Sequence, residues 1–195
     1  MKEWLMNLYS NLEAFILSIG YFGILVSTLI IVFESIIPLI PVGVFFALNC
    51  MILGKIPGLI FSYIGTIIGC MLSYLLVNNL LKERFTRMLN KRKNGKRIIN
   101  FVNSASITSL TVIMAIPFAP AFLINIAAGL SDKINRKTFL VALLIGKIFL
   151  IYFWGFIGVS LKDSISNPIV LLKIGIMIVI AYIASNIVNK KLGVK

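Results

Sequence analysis

The sequence predicts an all-α protein that crosses a membrane several times. Three observations predict it. Hydrophobic residues make up 59% of the 195 residues, mean hydropathy is +1.03 and 13% are charged; soluble domains are nearer half apolar and a quarter charged. The basic residues behind the net charge of +13 gather in short stretches between apolar runs of bilayer length. Two of those runs are broken by paired prolines, which remove helix hydrogen bonds where hydrocarbon offers no substitute. One integral domain over residues 13–188 is expected, preceded by an interfacial helix and followed by a basic tail, 189–195.

In chain order, residues 1–12 place Trp4, Leu5, Leu8 and Leu12 on one helical face, the pattern of a helix lying in the interface. No cleavage-site pattern follows, so the first apolar segment is expected to stay as an anchor. Residues 13–33 are apolar and long enough to cross. Residues 34–54 are apolar but interrupted by Pro38, Pro41 and Gly43. Residues 56–81 form a clean span, with Gly65 and Gly69 as a small-xxx-small helix contact. Residues 82–103 are a basic, partly amphipathic loop. Residues 105–130 are a second apolar segment, broken by Pro117 and Pro120. Residues 138–161 and 168–188 are clean spans separated by the polar "KDSISNP".

Charge orients these elements. Eight Lys and Arg lie between Lys82 and Arg97; Lys133, Arg136 and Lys137 fill a second loop; Lys190, Lys191 and Lys195 close the chain. Such loops mark the cytoplasmic side, so the positive charge does not call for nucleic acid. Attraction to anionic headgroups, worth ~1 kcal/mol per basic residue near the surface, is a secondary role. With both loops inside, segment 105–130 starts and ends on one side and reads as a re-entrant hairpin. Counting back, 34–54 starts and ends outside, 13–33 runs outward, and both termini are cytoplasmic. The total is about four full crossings.

The chain has two cysteines and no histidine. Cys50 and Cys70 sit in apolar sequence and read as small buried hydrophobes. No acid–base pair, nucleophile–base set or metal-ligand cluster is visible. An enzyme is therefore not expected, nor a catalytic residue, a cofactor or a metal.

The two broken segments share an order of features. "PLIPVGVFFALNCMILG" carries Pro38, Pro41, Asn49 and Gly54; "PFAPAFLINIAAG" carries Pro117, Pro120, Asn125 and Gly129. Each precedes a full span, and one enters from outside, the other from inside. That is an inverted repeat of re-entrant hairpin plus transmembrane helix, and broken segments in matching positions point to a transport site near the midplane. Coincidence is the rival reading, weakened by the opposite orientation that charge assigns independently. Broken backbone at depth must be buried in protein or line a water-filled cavity, so the hairpins should face each other. Asn49 and Asn125 can satisfy freed backbone groups or contact a ligand. Glu34 is the acid within an apolar segment. It is either a carboxylate at the outer edge, where the cost is small, or a cation or proton site at the mouth of the first hairpin. Lys147 can pair with Glu34, bind a lipid phosphate, or snorkel inward from the cytoplasmic half of its span.

At "FESIIPLIP", "GLIFSYIGTIIGCMLSYLL" and "IPFAPAFLINIAAGL" the chain resembles the DedA superfamily, the VTT-domain membrane proteins, over roughly residues 20 to 162. The resemblance implies a VTT-like domain and lipid translocation. For bacterial members it implies recycling of undecaprenyl phosphate and proton-motive-force homeostasis. Glu34 matches the family's acid before the first proline pair, Pro117 and Pro120 its second pair, and Asn125 and Gly129 the Asn and Gly that follow in one branch. There are departures. Members commonly carry a second acid just after the first pair, where Val42, Gly43 and Val44 stand here. They commonly carry an Arg before and after the second pair. Here Ala115 and Ile116 precede Pro117, and Ala121 follows Pro120. An uncoupled scramblase branch fits that better than a proton-coupled one.

The expected function is transfer of phospholipid or polyprenyl-phosphate lipids between leaflets. The pathway residues would be Glu34, Pro38, Pro41, Asn49, Pro117, Pro120, Asn125, Gly129 and Lys147. The alternatives are an ion-coupled undecaprenyl phosphate carrier and a non-transporting scaffold or assembly factor recruiting through its basic loop. Expected partners are anionic membrane lipids; a homo-oligomer is allowed and nucleic acid is not expected. The Ile-, Lys- and Asn-rich composition points to the plasma membrane of a low-GC bacterium.

Overall fold

The structure, a computed structural model, describes residues 11, 14, 21–38, 42–91, 95–164 and 168–192. Among them there are helices and no strands: α1 (Tyr21–Ile36), α2 (Val42–Ile52), α3 (Lys55–Asn79), α4 (Lys82–Lys91), α5 (Gly95–Ser104), α6 (Ile107–Ala115), α7 (Ala121–Leu130), α8 (Arg136–Ser164) and α9 (Pro168–Leu192). Three of these are long and apolar enough to cross a membrane: Lys55–Asn79, Arg136–Ser160 and Ile169–Lys190. The interfacial helix expected at 1–12 and the last residues of the basic tail lie outside the described residues, as does Pro41.

α3 and α8 form an antiparallel centre. The Tyr74 ring stacks on Phe139 at 4.6 Å and its hydroxyl donates to the Ile134 carbonyl at 2.9 Å. Further along, the Tyr63 hydroxyl donates to the Leu144 carbonyl at 2.9 Å, and Gly155 lies against Leu59. Residues near 66 in α3 are thus level with residues near 146 in α8, halfway along both helices.

Two helical V shapes are wedged against this pair. In the first, α1 runs beside α3 in the same direction: Gly65 faces Thr28 and Ile31, and Gly69 faces Val32 and Ser35. The chain turns after Ile36, and α2 returns toward the start of α3. Gly54, at φ 86°, makes the turn into α3 in a backbone conformation that favours glycine. The sequence set an outward crossing at 13–33 apart from a broken segment at 34–54; the described residues 21–36 instead form one helix that runs with α3 and is itself the first limb of the V. The helix continues through Glu34, because a carboxylate does not end a helix. Pro38 does, by disfavouring helical backbone in the residue before it.

The second V is α6, the turn 116–120 and α7. Ser106 caps α6, its Oγ accepting the Ser109 N–H at 3.1 Å. The open ends of this V meet at the basic end of α3, where Ser131 Oγ donates to Asn103 Oδ1 at 2.6 Å and Asn78 Nδ2 donates to the Gly129 carbonyl at 2.9 Å. Each V packs its first limb on the long helix that follows it, α1 on α3 and α6 on α8. Each packs its second limb on the other long helix, α2 on α8 and α7 on α3. The first V opens toward the start of α3 and the second toward its end, so the two turns approach each other halfway.

The expected basic loop 82–103 is two short helices. α4 and α5 turn apolar side chains, Phe85 and Ile99, onto Val77, Ile126 and Leu130, and leave Lys82, Arg84, Arg87 and Arg97 exposed. Lys82 pairs with Asp132 at 2.7 Å. α8 runs on to Ser164, past the expected break at Lys162. α9 packs on α8 and α5 and is far less buried than α3 or α8.

Candidate functional site

A cavity of about 450 Å³ lies where the two turns approach. The first V supplies Glu34, Ser35, Pro38 and Val42; the second supplies Ala119 to Leu123 and Asn125. Thr66 and Cys70 come from the middle of α3, and Lys147 from the middle of α8. A second cavity, about 170 Å³, adjoins it. The two share Val42, Ala119, Ala121 and Lys147, so the lysine stands in the wall between them.

Local chemistry explains the opening. Proline cannot donate a hydrogen bond and ends each first limb short of the neighbouring helix. On the second turn Phe118 adopts φ 63°, a left-handed conformation costly for a bulky residue. Its ring meets the Trp154 indole edge-on at 5.3 Å, and that indole packs directly on Gly43 of the first V. One α8 side chain therefore touches both V units.

Lys147 is 2% exposed, among the largest fully buried side chains, and Glu34 is 7% exposed. Two expectations are corrected here. Glu34 is level with Thr66 and Cys70, not at the edge of a span, because α1 and not the following turn carries it inward. Lys147 does not snorkel: half of α8 separates it from the basic end, and α6 packs on α8 at Gly146. The acid and the base, expected to lie apart, line the same cavity.

Asn125 is 1% exposed and its Oδ1 is buried with no hydrogen-bond partner. An unpaired buried carbonyl costs about 1–3 kcal/mol, which marks a place for a donor. The hydroxyl protons of Ser35 and Thr66 are committed, Ser35 to the Ile31 carbonyl at 2.9 Å and Thr66 to the Ser62 carbonyl at 2.7 Å. Both hydroxyls therefore offer acceptor lone pairs alone. Among the described lining residues Glu34 is the one acid and Lys147 the one base, so the formal charge of the wall is zero.

Of the residues singled out in the sequence, the cavity gathers Glu34, Pro38, Pro120, Asn125 and Lys147. Asn49 lies elsewhere: its Nδ2 donates to Ser62 Oγ at 3.1 Å, between α2 and α3. Gly129 serves close packing, since a Cβ there would sit 2.9 Å from the Tyr74 carbonyl oxygen and Val77. Pro117 is buried in the second turn without lining the larger cavity. Ser35, Thr66 and Cys70 were missed. Their signal is weak: each falls within one helical turn of a flagged position, Ser35 beside Glu34 and the other two flanking Gly69.

Comparison with known proteins covers both turns and both central helices. Residues 37–160 match the VTT domain family. The chain is 27% identical over 168 residues to the uncharacterized membrane protein YhjE of Bacillus subtilis (strain 168), covering 86% of this chain and 77% of that protein. It is 26% identical over 129 residues to the uncharacterized protein YqeD of the same organism, covering 66% of this chain and 62% of that one. No solved structure matches significantly. The match from Ile37 to Ser160 takes in nearly every element that builds the cavity, and the chain belongs to the VTT-domain (DedA) family of membrane proteins.

Proposed function

We propose that this protein moves phospholipid or polyprenyl-phosphate lipids between the two leaflets of a bacterial plasma membrane, as a scramblase or flippase. One observation carries the reading. A cavity of about 450 Å³, mostly apolar but walled in part by a buried acid, a buried base and a buried amide, sits halfway along helices long enough to span. Buried ionisable groups at that depth are costly and characteristic of transport paths. A headgroup would cross through this notch while the acyl chains stay in lipid. The family's general link to membrane lipid transport supports the same reading.

In this proposal the V units are re-entrant hairpins, related as an inverted repeat with the site at their interface. The crossed packing of the limbs supports that relation. The basic end, with Lys82, Arg84, Arg136 and the last turn of α9, faces the cytoplasm. Pro38, Pro41, Pro117 and Pro120 keep the hairpins broken; Glu34, Asn125 and Lys147 contact the headgroup; Asn49 and Gly129 hold the scaffold.

The test is leaflet exchange of labelled lipids in proteoliposomes, with and without an imposed pH gradient. Acceleration over protein-free vesicles, indifferent to the gradient, is expected. Acceleration only with a gradient would favour the ion-coupled carrier. No acceleration would favour a scaffold.

A further inference from the structure

We infer that Phe118 and Trp154 form an aromatic gate that closes the cavity on the side away from the basic end, and that a flip of the Pro117–Phe118 peptide opens it. This rests on the translocation reading above and adds its moving part.

The two cavities are stacked along α8, with Lys147 between them. Thr66 and Cys70 line the larger one alone, and Cys70 lies one turn from Thr66 toward the basic end. Leu150 and Trp154 line the smaller one alone, and Trp154 lies about 10 Å beyond Lys147 along the helix. Phe118 also lines the smaller cavity and is 43% exposed, so its ring has one side on the cavity and the other outside the fold. Trp154 is fixed, packed on Gly43 and edge-on to Phe153 at 5.5 Å.

The turn shows which member moves. The Ala119 N–H donates to the Ile116 carbonyl at 3.4 Å, so residues 116–119 form a β-turn with Pro117 second and Phe118 third. Proline cannot take a positive φ, whereas Phe118 has φ 63°; that combination is a type II turn. Its third position suits glycine, and a phenylalanine there is strained. A type I turn keeps the proline second and the same hydrogen bond, but gives the third residue a φ of about −90°. A flip of the central peptide converts one into the other. In the type II form the ring meets Trp154. In the type I form Phe118 regains ordinary backbone and its side chain leaves the indole. Ring contact favours the closed form and backbone strain the open one, so the turn is a two-state element.

The experiment makes Ala121→Cys, at a position lining both cavities, in a background lacking Cys50 and Cys70. A charged, membrane-impermeant methanethiosulfonate is added to intact cells or to inside-out vesicles. It reacts with thiolate, which forms where water reaches. With the basic end cytoplasmic, the gate faces outside. Outside labelling should be slow in this parent and about tenfold faster once Phe118→Gly is added, because the thiol then meets water. Glycine suits the type II turn, so that variant loses the ring and keeps the turn. Trp154→Ala should also speed outside labelling, and Phe118→Tyr, which keeps the ring, should label as slowly as the parent. Labelling from the inside should stay the same in all of them. Unchanged outside labelling in Phe118→Gly, or a rise from both faces alike, would overturn the gate. Lipid exchange measured in parallel tests the translocation reading separately: no acceleration by the native protein would sink that reading and leave the labelling result intact.

Discussion

Three glycines test whether the first V is held against α3 by close backbone contact. At Gly69 a Cβ would lie 2.6 Å from the Val32 carbonyl oxygen and 2.8 Å from the Val32 Cα. Ordinary contact needs roughly 3.5 Å, so Gly69→Ala obliges α1 to retreat by roughly 0.9 Å, since a backbone carbonyl cannot rotate aside. At Gly65 the nearest atom, the Thr28 carbonyl oxygen, is 3.0 Å away, a shortfall of roughly half an ångström. At Gly175, on the exposed face of α9, nothing lies within 4 Å. Overpacking costs about 1–3 kcal/mol, and replacing glycine by alanine inside a helix returns about 0.5–1 kcal/mol. Gly69→Ala should thus be destabilising by about 1–2 kcal/mol, Gly65→Ala nearly neutral, and Gly175→Ala neutral to slightly stabilising. Because α1 carries Glu34 and Pro38 to the cavity, Gly69→Ala should also slow lipid exchange per folded molecule. Heating detergent-solubilised variants and following the monodisperse fraction by gel filtration gives the ranking. Gly69→Ala as heat-resistant as Gly175→Ala would refute the close packing of α1 on α3.

Other consequences are open to direct measurement. In a background lacking Cys50 and Cys70, single cysteines at positions 55 and 133 should react from opposite sides of intact cells. Labelling of both from one side would undo the opposed arrangement of the V units. Replacing Pro117 and Pro120 together by Leu should favour a continuous helix and reduce lipid exchange even where the protein inserts; full activity would make the broken backbone incidental. Tyr74→Phe keeps the ring stacked on Phe139 but removes the hydrogen bond to Ile134, costing about 1 kcal/mol. Its thermal midpoint should fall while lipid exchange per folded molecule stays; slower exchange would mean that the basic end also takes part in transport.

Much of the architecture was legible because hydropathy and proline are local signals. The lengths of α3, α8 and α9 follow from uninterrupted apolar runs, and the break at 116–120 from two prolines three residues apart. The first break fell at Pro38 as the prolines indicate, but the residues before it, set apart as a crossing at 13–33, proved to be the first limb of the V from Tyr21 to Ile36. Family membership was legible for the same reason: the order of broken segment, span and basic stretch is written along the chain, and residues 37–160 carry it.

The depth of each polar group was not legible. Apolar sequence tells how long a helix is, not how far a half-length helix reaches beside its neighbour. That is set by which surfaces meet, here Gly65 and Gly69 against Thr28 to Ser35, and it moves Glu34 from an edge to the middle. Lys147 looked able to reach the basic end until the packing of α6 and the two turns enclosed it. Asn49 and Asn125 have the same local signature, one amide among apolar residues after a proline pair. Only the fold puts Ser62 opposite the first and an open cavity beside the second. By itself the sequence determined the segments, their breaks and the family. Tertiary packing decided which polar side chains met one another and which were left facing the cavity, because that choice depends on contacts between residues a hundred positions apart.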